Sequence, residues 1–218
     1  MSVAAFFDLD RTLIDCNSGM LYARFERRMR RISRYQLAQG LTWGMLYHFS
    51  LIDLDRAMGQ ALMYYRGTPE ELLRERTERF FADEVVQRFQ PGASRAIDEH
   101  KAQGHRLVML TNSSPYMADV ATTRFGLDEW LANRFLLDDD ARLTGEFELP
   151  LCYGAGKAVR SQAWAERHGI DLASCFFYTD SYSDLPMLEA VGEPRVVNPD
   201  PKLKREARRR NWPVLDWR

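Results

Sequence analysis

The sequence is poor in cysteine and contains no long apolar segment. Its three cysteines, Cys16, Cys152 and Cys175, have no paired spacing, which excludes a disulfide scaffold and predicts reduced thiols in a cytoplasmic protein. A membrane-spanning helix needs about 18 consecutive apolar residues, and the longest candidate, 41–51, is shorter and contains His48. No basic segment precedes the first apolar stretch, so we expect no signal peptide.

The chain also lacks an excess of charge of either sign. It has 30 lysine and arginine residues against 31 aspartate and glutamate residues, for a formal net charge of −1. This balance provides no general attraction to nucleic acid, which is therefore not expected as a partner. With 45% apolar residues, the chain can form a sizeable core. Composition thus indicates a globular protein but not its activity.

Short apolar segments alternate with helical segments along most of the chain. Four of these segments are typical of strands buried on both faces of a parallel sheet. They are residues 2–7, 106–111, 175–179 and 195–198. The alternation predicts an α/β fold, with a Rossmann-like parallel sheet core and right-handed crossovers. Residues 134–148 predict a β-hairpin at the edge of this sheet, with the aspartates 138–140 in a solvated turn.

Residues 17–90 interrupt the alternation. Leu21, Phe25 and Met29 recur at helical spacing, and the segment has no strand pattern. Thr68, followed by proline and two glutamates, predicts a capping box that opens a further helix. We therefore expect an inserted all-helical cap domain over residues 17–90, and an α/β core domain formed by residues 1–16 and 91–218.

Acidic and other polar side chains follow three of the predicted strands. They are Asp8, Asp10, Thr111, Asn112, Asp180 and Asp184. In an open α/β sheet, ligands bind at the carboxyl ends of the strands, so we expect these groups to converge. Converging carboxylates repel one another unless a cation lies between them, and oxygen ligands favour Mg²⁺. Lys157 and the groups around Thr111 are suited to bind a phosphate group beside that ion.

Four segments in this order resemble the motifs of a known family. They are FFDLDRTLID, LVMLTNSSP, the lysine of YGAGKAV, and FFYTDSYSDLPML. Together they resemble the motifs of the haloacid dehalogenase superfamily of phosphohydrolases, over residues 3–15 and 105–198. The DxDxT form of the first motif and the position of the insertion resemble the subfamily with a helical cap, which includes phosphoserine phosphatase. The resemblance implies a Mg²⁺-dependent phosphatase that hydrolyses a small phosphorylated metabolite.

The resemblance also implies a role for each catalytic residue. Asp8 would attack phosphorus and form an aspartyl-phosphate. Asp10 would protonate the leaving oxygen and later activate the hydrolytic water. Thr111 and the backbone amide of Asn112 would bind the phosphoryl oxygens. Lys157 would neutralise charge on the nucleophile and on the phosphoryl group.

The implied magnesium ligands are the carboxylates of Asp8 and Asp180 and the carbonyl of Asp10, with Asp184 in support. Asp184 is also expected to cap the helix that follows it. A P-loop is rejected for the glycines before Lys157, because Leu151 stands where that motif begins and Ala158 replaces its hydroxyl residue.

Two departures from phosphoserine phosphatases concern the substrate. Phosphoserine phosphatases carry a glutamate nine residues after the nucleophile, which binds the substrate's amino group; this sequence has Asn17 at that position. They also have a glycine-rich turn after the aspartate of the fourth motif, where this sequence has Ser-Tyr-Ser after Asp180. Phosphoserine is therefore not predicted as the substrate. A phosphomutase or phosphotransferase of the same fold, and a phosphate-binding module without turnover, stay open as alternatives.

An arginine-rich segment gives three further interpretations. Residues 21–35 contain six arginines and one glutamate, which fits a solvated surface, a rim that attracts an anionic substrate, or peripheral contact with anionic lipid. The nearby aromatic residues Trp43, Tyr47 and Phe49 fit the lipid contact, the core of the cap, or a dimer face. The sequence does not decide between these, and it does not predict an oligomeric state.

Overall fold

The structure is a computed structural model and describes residues 2–35, 38 and 54–218. The apolar stretch 41–51, with His48 and its aromatic neighbours, lies outside the described residues. The strands of the described part are β1 (Ala4–Phe7), β2 (Arg106–Leu110), β3 (Glu129–Leu131), β4 (Phe135–Leu137), β5 (Leu143–Phe147), β6 (Phe176–Thr179), β7 (Glu193–Val197) and β8 (Val214–Leu215).

A parallel sheet forms the centre of the described chain. Its six strands lie in the order β3-β2-β1-β6-β7-β8, and all of its neighbouring strands are parallel. The chain runs outward from β1 to one side and then returns to β6 on the other. The carboxyl ends of β1 and β6 therefore flank the switch point where an open sheet binds its ligand. The predicted α/β fold with a Rossmann-like sheet is confirmed.

The central strand is buried on both faces, as its unbroken apolar sequence predicts. Ala5 and Phe7 join the apolar cluster on one side of the sheet, and Ala4 and Phe6 join the cluster on the other. All four residues are fully buried, so the strand is anchored by packing on both sides. The position of the polar residues that follow it is correspondingly well fixed.

Helices cover the sheet and form much of the described part of the inserted segment. They are α1 (Ser18–Arg28), α2 (Leu54–Met63), α3 (Glu70–Phe80), α4 (Pro91–Ala102), α5 (Pro115–Phe125), α6 (Ala155–His168), α7 (Leu185–Ala190) and α8 (Pro201–Arg210). Ser114 caps α5 through a hydrogen bond from the N–H of Met117, and Gly126 and Gly169 end α5 and α6 in the left-handed conformation. In the part of the chain that the structure describes, no helix could span a membrane.

The predicted hairpin is present, but its predicted place in the main sheet is wrong. Strands β4 and β5 pair with each other in a separate two-stranded sheet. Leu143 and Phe147 pack in a cluster with Leu62 of α2 and Leu73 of α3. The apolar face of the hairpin is thus buried against α2 and α3, and the two edges of the main sheet are β3 and β8.

The capping box predicted at Thr68 is also wrong. Helix α3 begins at Glu70 without a side-chain cap. The N–H of Glu70 donates to the carbonyl oxygen of Ala141 at 2.9 Å, and the carbonyl of Thr68 accepts from the N–H of Leu143 at 3.0 Å. The hairpin backbone therefore satisfies one of the free N–H groups at this end of the helix, in place of a side-chain cap.

Some of the arginines in the charged segment have acidic partners. Arg28 pairs with Glu84, and Arg31 pairs with the buried Glu26 at 2.6 Å. These pairs reduce the charge available to an external anion. Peripheral lipid contact by this segment stays a prediction.

The three cysteines are free thiols, as expected. Burial raises the pKa of Cys16 to about 11 and the pKa of Cys152 to about 12. Because the thiolate is the nucleophilic form of cysteine, neither side chain is activated for chemistry.

Candidate active site

The first two aspartates lie in a tight turn at the carboxyl end of β1. The N–H of Asp8 donates to the carbonyl oxygen of Tyr178 in β6 at 2.9 Å, which continues the parallel pairing beyond the strand. The side chain of Asp10 accepts a hydrogen bond from the N–H of Ser18, the first residue of α1, at 2.9 Å. The inserted segment therefore begins in direct contact with the predicted acid–base residue. Ser18 carried no recognisable signal in the sequence.

Gln90 holds this turn in place. The side chain is buried, and its Nε2 donates to the carbonyl oxygens of Thr12 at 2.8 Å, Arg11 at 3.2 Å and Ile14 at 3.3 Å. Arg11 itself has a left-handed backbone, with φ of 58°, a conformation that costs energy for a residue with a side chain. One amide thus stabilises a strained turn from 79 residues away in the chain. Sequence reasoning missed it.

Lys157 joins the first and fourth motifs. It lies near the start of α6 and is buried, and its Nζ lies 2.7 Å from Oδ1 of Asp8 and 2.7 Å from Oδ2 of Asp184. Burial alone would lower the pKa of this lysine, but the two carboxylates outweigh it and the pKa is raised. The side chain is therefore a positive charge fixed between two acids.

The carboxylates at this edge are buried and close enough to repel one another. Burial raises the pKa of Asp8 to about 7 against the opposing effect of Lys157, and Asp184 and Asp10 raise it further. Burial, followed by the charges of Asp8 and Asp184, raises the pKa of Asp180 to about 8. The predicted convergence of acidic groups from separate motifs is therefore present.

Asp184 makes different contacts from those expected. Its Oδ2 accepts hydrogen bonds from Lys157 and from the hydroxyl of Thr179, both at 2.7 Å. Asp184 does occupy the N-cap position of α7, as predicted, but its side chain makes no capping hydrogen bond there. Thr179, the last residue of β6, is a site residue that the sequence did not indicate.

The second motif presents a hydroxyl and backbone groups at the end of β2. Thr111 is buried, and its Oγ1 accepts a hydrogen bond from the N–H of Ser113 at 3.2 Å. The backbone carbonyl of Asn112 is held by the side chain of Asn133 at 2.7 Å. The hydroxyl of Ser113 lies 3.4 Å from that of Ser18, which connects this loop to the start of α1.

The acidic side chains at this edge supply oxygen donors, the type that divalent cations such as Mg²⁺ prefer. Among the described residues, no group of three or more histidine, cysteine or acidic side chains is arranged to hold a metal ion as it stands. Asp180, however, is buried, with 6% of the residue exposed, and its carboxylate accepts no hydrogen bond from the described residues, although it lies near Asp8. A buried, unpaired carboxylate beside a second one is costly. An oxygen-binding cation would relieve this cost, so the donor set fits Mg²⁺.

Comparison with known proteins assigns the family. The family model described as haloacid dehalogenase-like hydrolase matches residues 5–189, a range that contains all four motifs. The chain belongs to the haloacid dehalogenase-like hydrolases. Enzymes of this kind include phosphatases that generally use Mg²⁺.

Relatives of this hydrolase agree with a phosphatase activity. A histidinol-phosphatase from Neisseria meningitidis is 27% identical over 222 residues and covers 100% of both chains. The structure of a protein of unknown function from Bordetella pertussis Tohama I has a TM-score of 0.89 at 27% identity, again over 100% of both chains. A phosphoserine phosphatase structure, described as a phospho-aspartyl intermediate analogue, shares the fold with a TM-score of 0.71 at 18% identity, over 100% of this chain and 93% of that one.

The predicted resemblance to the phosphoserine phosphatase-like branch of the family is thereby confirmed. This haloacid dehalogenase-like hydrolase is a phosphoric monoester hydrolase. Asn17, which stands where phosphoserine phosphatases carry a glutamate, caps α1 by accepting a hydrogen bond from the N–H of Met20 at 2.9 Å. Its side chain therefore has a local structural role.

Proposed function

We propose that the protein is a Mg²⁺-dependent phosphatase that hydrolyses a small phosphorylated metabolite through an aspartyl-phosphate. The observation that supports it most directly is the buried ammonium group of Lys157, held 2.7 Å from both Asp8 and Asp184. A fixed positive charge beside a carboxylate nucleophile stabilises the charge that develops during phosphoryl transfer. A structural ion pair alone would not need two acidic partners and a third buried acid, Asp180, beside them.

In this proposal Asp8 is the nucleophile. One of its oxygens attacks phosphorus in line with the leaving oxygen, and the P–O bond to the leaving group breaks. Lys157 contacts Oδ1 of Asp8, which leaves Oδ2 as the oxygen without a lysine contact. The hydroxyl of Thr111 and the amide after it are available to bind the equatorial phosphoryl oxygens.

Asp10 is proposed as the general acid and base. Burial raises the pKa of its carboxyl, which favours the protonated form that an acid needs at the start of the reaction. Its Oδ1 accepts a hydrogen bond from the N–H of Ser18 at 2.9 Å, and the proton is proposed to pass from its other oxygen to the leaving oxygen. Once deprotonated, the same group would take a proton from the water that hydrolyses the aspartyl-phosphate.

The carboxylates of Asp8 and Asp180 and the carbonyl of Asp10 are proposed to hold Mg²⁺, with Asp184 in support. When bound, this ion would neutralise the carboxylates and polarise the phosphoryl group. Asp184 is tied to Lys157 and Thr179 through Oδ2. Only its Oδ1 is therefore free to support the ion or a water bound to it.

We further propose that residues 17–90 form the cap and select the leaving group, with residues 1–16 and 91–218 as the catalytic domain. Support comes from Ser18 and Asn17, which start the inserted segment beside Asp10 and use their polar groups for the helix start. Without a glutamate at residue 17, the site lacks the family's means of reading phosphoserine. The relative named histidinol-phosphatase makes amino-alcohol phosphates a sensible part of a substrate panel.

The test is phosphate release from a panel of phosphorylated metabolites, lysophospholipids and a generic aryl phosphate in the presence of Mg²⁺. Asp8→Asn and Asp10→Asn should each abolish turnover, whereas Asp139→Asn, in an exposed turn, should not. Activity at the wild-type level in either catalytic variant would refute the roles proposed. Transfer of phosphate to a sugar phosphate acceptor instead of water would favour a phosphomutase, and phosphate binding without any turnover would favour a binding module.

A further inference from the structure

Asn133 is a fully buried amide at the catalytic edge of the sheet. It lies just after β3, and its Nδ2 donates to the carbonyl oxygen of Asn112 at 2.7 Å and to Oδ1 of Asn112 at 3.0 Å. Its Oδ1 accepts a hydrogen bond from the N–H of Cys152 at 2.8 Å. The orientation of the amide follows from its partners, because a carbonyl can only accept and a backbone N–H can only donate.

The contact with Asn112 acts on the hydroxyl of Thr111. The peptide group between Asn112 and Ser113 is planar and trans, so its C=O and N–H bonds point in opposite directions. Because Asn133 holds the C=O, the N–H of Ser113 is directed to the other side, where it donates to Oγ1 of Thr111 at 3.2 Å. That bond occupies a lone pair of the hydroxyl and leaves its O–H free to donate to an anion.

The contact with Cys152 acts on the segment that leads to Lys157. This segment is compact: a Cβ on Gly156 would lie 1.9 Å from the carbonyl oxygen of Leu151. Because the segment is so closely packed, a displacement of its residues would also displace the start of α6. The hydrogen bond from the N–H of Cys152 to Asn133 therefore restricts the backbone position of Lys157.

We propose that Asn133 is a positioning residue for phosphoryl transfer. Its single amide group sets the distance between the Thr111 hydroxyl and the Lys157 ammonium, which approach the phosphoryl group from two different segments. This inference rests on the proposed function of those two residues. Alanine at this position would remove the donor to the half-buried carbonyl of Asn112 and leave the buried N–H of Cys152 unpaired, and aspartate would present an acceptor to the carbonyl of Asn112.

The test compares Asn133→Ala and the isosteric Asn133→Asp with a matched control. Asp128→Ala is the control, because Asp128 also ties β2 to the chain beside it, through the N–H of Leu107 at 2.8 Å, but at the opposite end of the strand. We expect kcat to fall by about 100-fold in both Asn133 variants, since misplacing one transition-state donor costs this much or more. Inhibition by inorganic phosphate should weaken in parallel. The control should lower the melting temperature with kcat unchanged.

A double-mutant cycle distinguishes positioning from general destabilisation. If Asn133 acts through the hydroxyl of Thr111, Asn133→Ala should cost much less in a Thr111→Val background, about 10-fold instead of about 100-fold. A purely structural role predicts the same factor in both backgrounds.

Two results would overturn the proposal. One is a wild-type kcat in both Asn133 variants; the other is a decrease in kcat in the double variant equal to the product of the decreases in the two single variants. If the wild-type protein releases no phosphate from any substrate of the panel, it is the proposed function that fails. Calorimetric titration with inorganic phosphate and Mg²⁺ would then still test Asn133: unchanged affinity in both variants would overturn its positioning role, and weaker affinity would support it.

Discussion

Lys157 and Asp8 are 149 residues apart in the chain, and their charged groups meet at 2.7 Å in a buried site. The strand β1 delivers the carboxylate and the first turn of α6 delivers the ammonium group. An isolated buried ion is strongly disfavoured, so each of these charges needs a partner of opposite sign at this depth, and Lys157 has a second one in Asp184. The pair therefore links the folding of the sheet to the assembly of the site.

Replacing this lysine should disable catalysis without removing the nucleophile. Lys157→Met keeps the length of the side chain but removes the charge that lowers the pKa of Asp8. We expect kcat/KM to fall by about 10²–10³-fold, and the acidic limb of the pH–rate profile to move to higher pH. Lys157→Arg should also be impaired, because a planar guanidinium does not fit the position of a point charge between two acids.

The measurement is the pH dependence of kcat/KM at saturating Mg²⁺ for wild type, Lys157→Met and the exposed control Lys204→Met. The control should match the wild type. An unchanged acidic limb in Lys157→Met would contradict the role assigned to the lysine charge.

The residues that could be predicted from the sequence are those that end strands. Asp8, Thr111 and Asp180 each follow an apolar run long enough to identify, and parallel topology brings the ends of such runs together. The order of the motifs then added Lys157, which has no strand of its own. The strand-end predictions depend only on local patterns and on the general geometry of parallel sheets, whereas the role of Lys157 is what the resemblance to the family implies.

The residues that could not be predicted act through contacts distant in sequence. Gln90 and Asn133 are single polar residues outside any motif, and their significance comes from carbonyl groups elsewhere in the chain. The edge strand β3 was missed for a related reason: its three residues are half-buried, so it lacks the apolar run that marks a buried strand. The sequence pattern predicts the hairpin at an edge of the main sheet, because no local signal reveals its packing against α2 and α3, which lie far away in sequence.

Gly156 offers a test of how tightly the segment before Lys157 must pack. A methyl group there would lie 1.9 Å from the carbonyl oxygen of Leu151, a backbone atom that cannot rotate away. Gly156→Ala should therefore destabilise the protein by about 1–3 kcal/mol and reduce kcat, because the lysine is the next residue. Gly59→Ala is the control, since its Cβ would lie 3.8 Å from the ring of Phe147.

Denaturant unfolding and phosphate release measure both variants. In an α-helix, replacing glycine by alanine in open space stabilises by about 0.5–1 kcal/mol, so Gly59→Ala should be neutral or stabilising and fully active. If the free energy of unfolding and the activity of Gly156→Ala match those of Gly59→Ala, the segment before Lys157 can shift to accommodate a methyl group, and tight packing there is not required.

Magnesium should stabilise the protein more at alkaline than at acidic pH. The pKa values of Asp8 and Asp180, about 7 and about 8, are raised above their ordinary value of 3.8. In the metal-free protein the stability associated with these groups is thus fully present below pH 3.8 and is lost as the pH rises through 7 and 8. A bound cation compensates the charges that form in this window, so its stabilising effect grows with pH.

The experiment is a series of melting curves in EDTA and in excess Mg²⁺ at pH 5 and pH 8. The increase in melting temperature should be clearly larger at pH 8, and Asp180→Asn should reduce it. A melting temperature that does not change on addition of Mg²⁺ at either pH would contradict a metal site shared by these carboxylates.

A histidine cluster outside the site should make the protein sensitive to acid. His100 is buried, its Nε2 lies 2.9 Å from the hydroxyl of Tyr178, and its Nδ1 lies 2.8 Å from Nδ1 of His105. Only one hydrogen fits between the two Nδ1 atoms, so one of them must accept it for the contact to form. Burial, together with the charges of His105 and Arg195, lowers the pKa of His100 to about 4.

The sign of the effect follows from this shift. As the pH falls below 6.5, the ordinary pKa of histidine, His100 becomes protonated in the unfolded chain, but in the folded state it stays neutral down to about pH 4. Stability associated with His100 is therefore lost between these values. The measurement is the melting temperature in excess Mg²⁺ at pH 7.5 and at pH 4.5. Its decrease between these two pH values should be smaller for His100→Gln than for the wild type, even if the two proteins already differ in melting temperature at pH 7.5. Parallel curves for the two proteins would show that the acid sensitivity arises elsewhere.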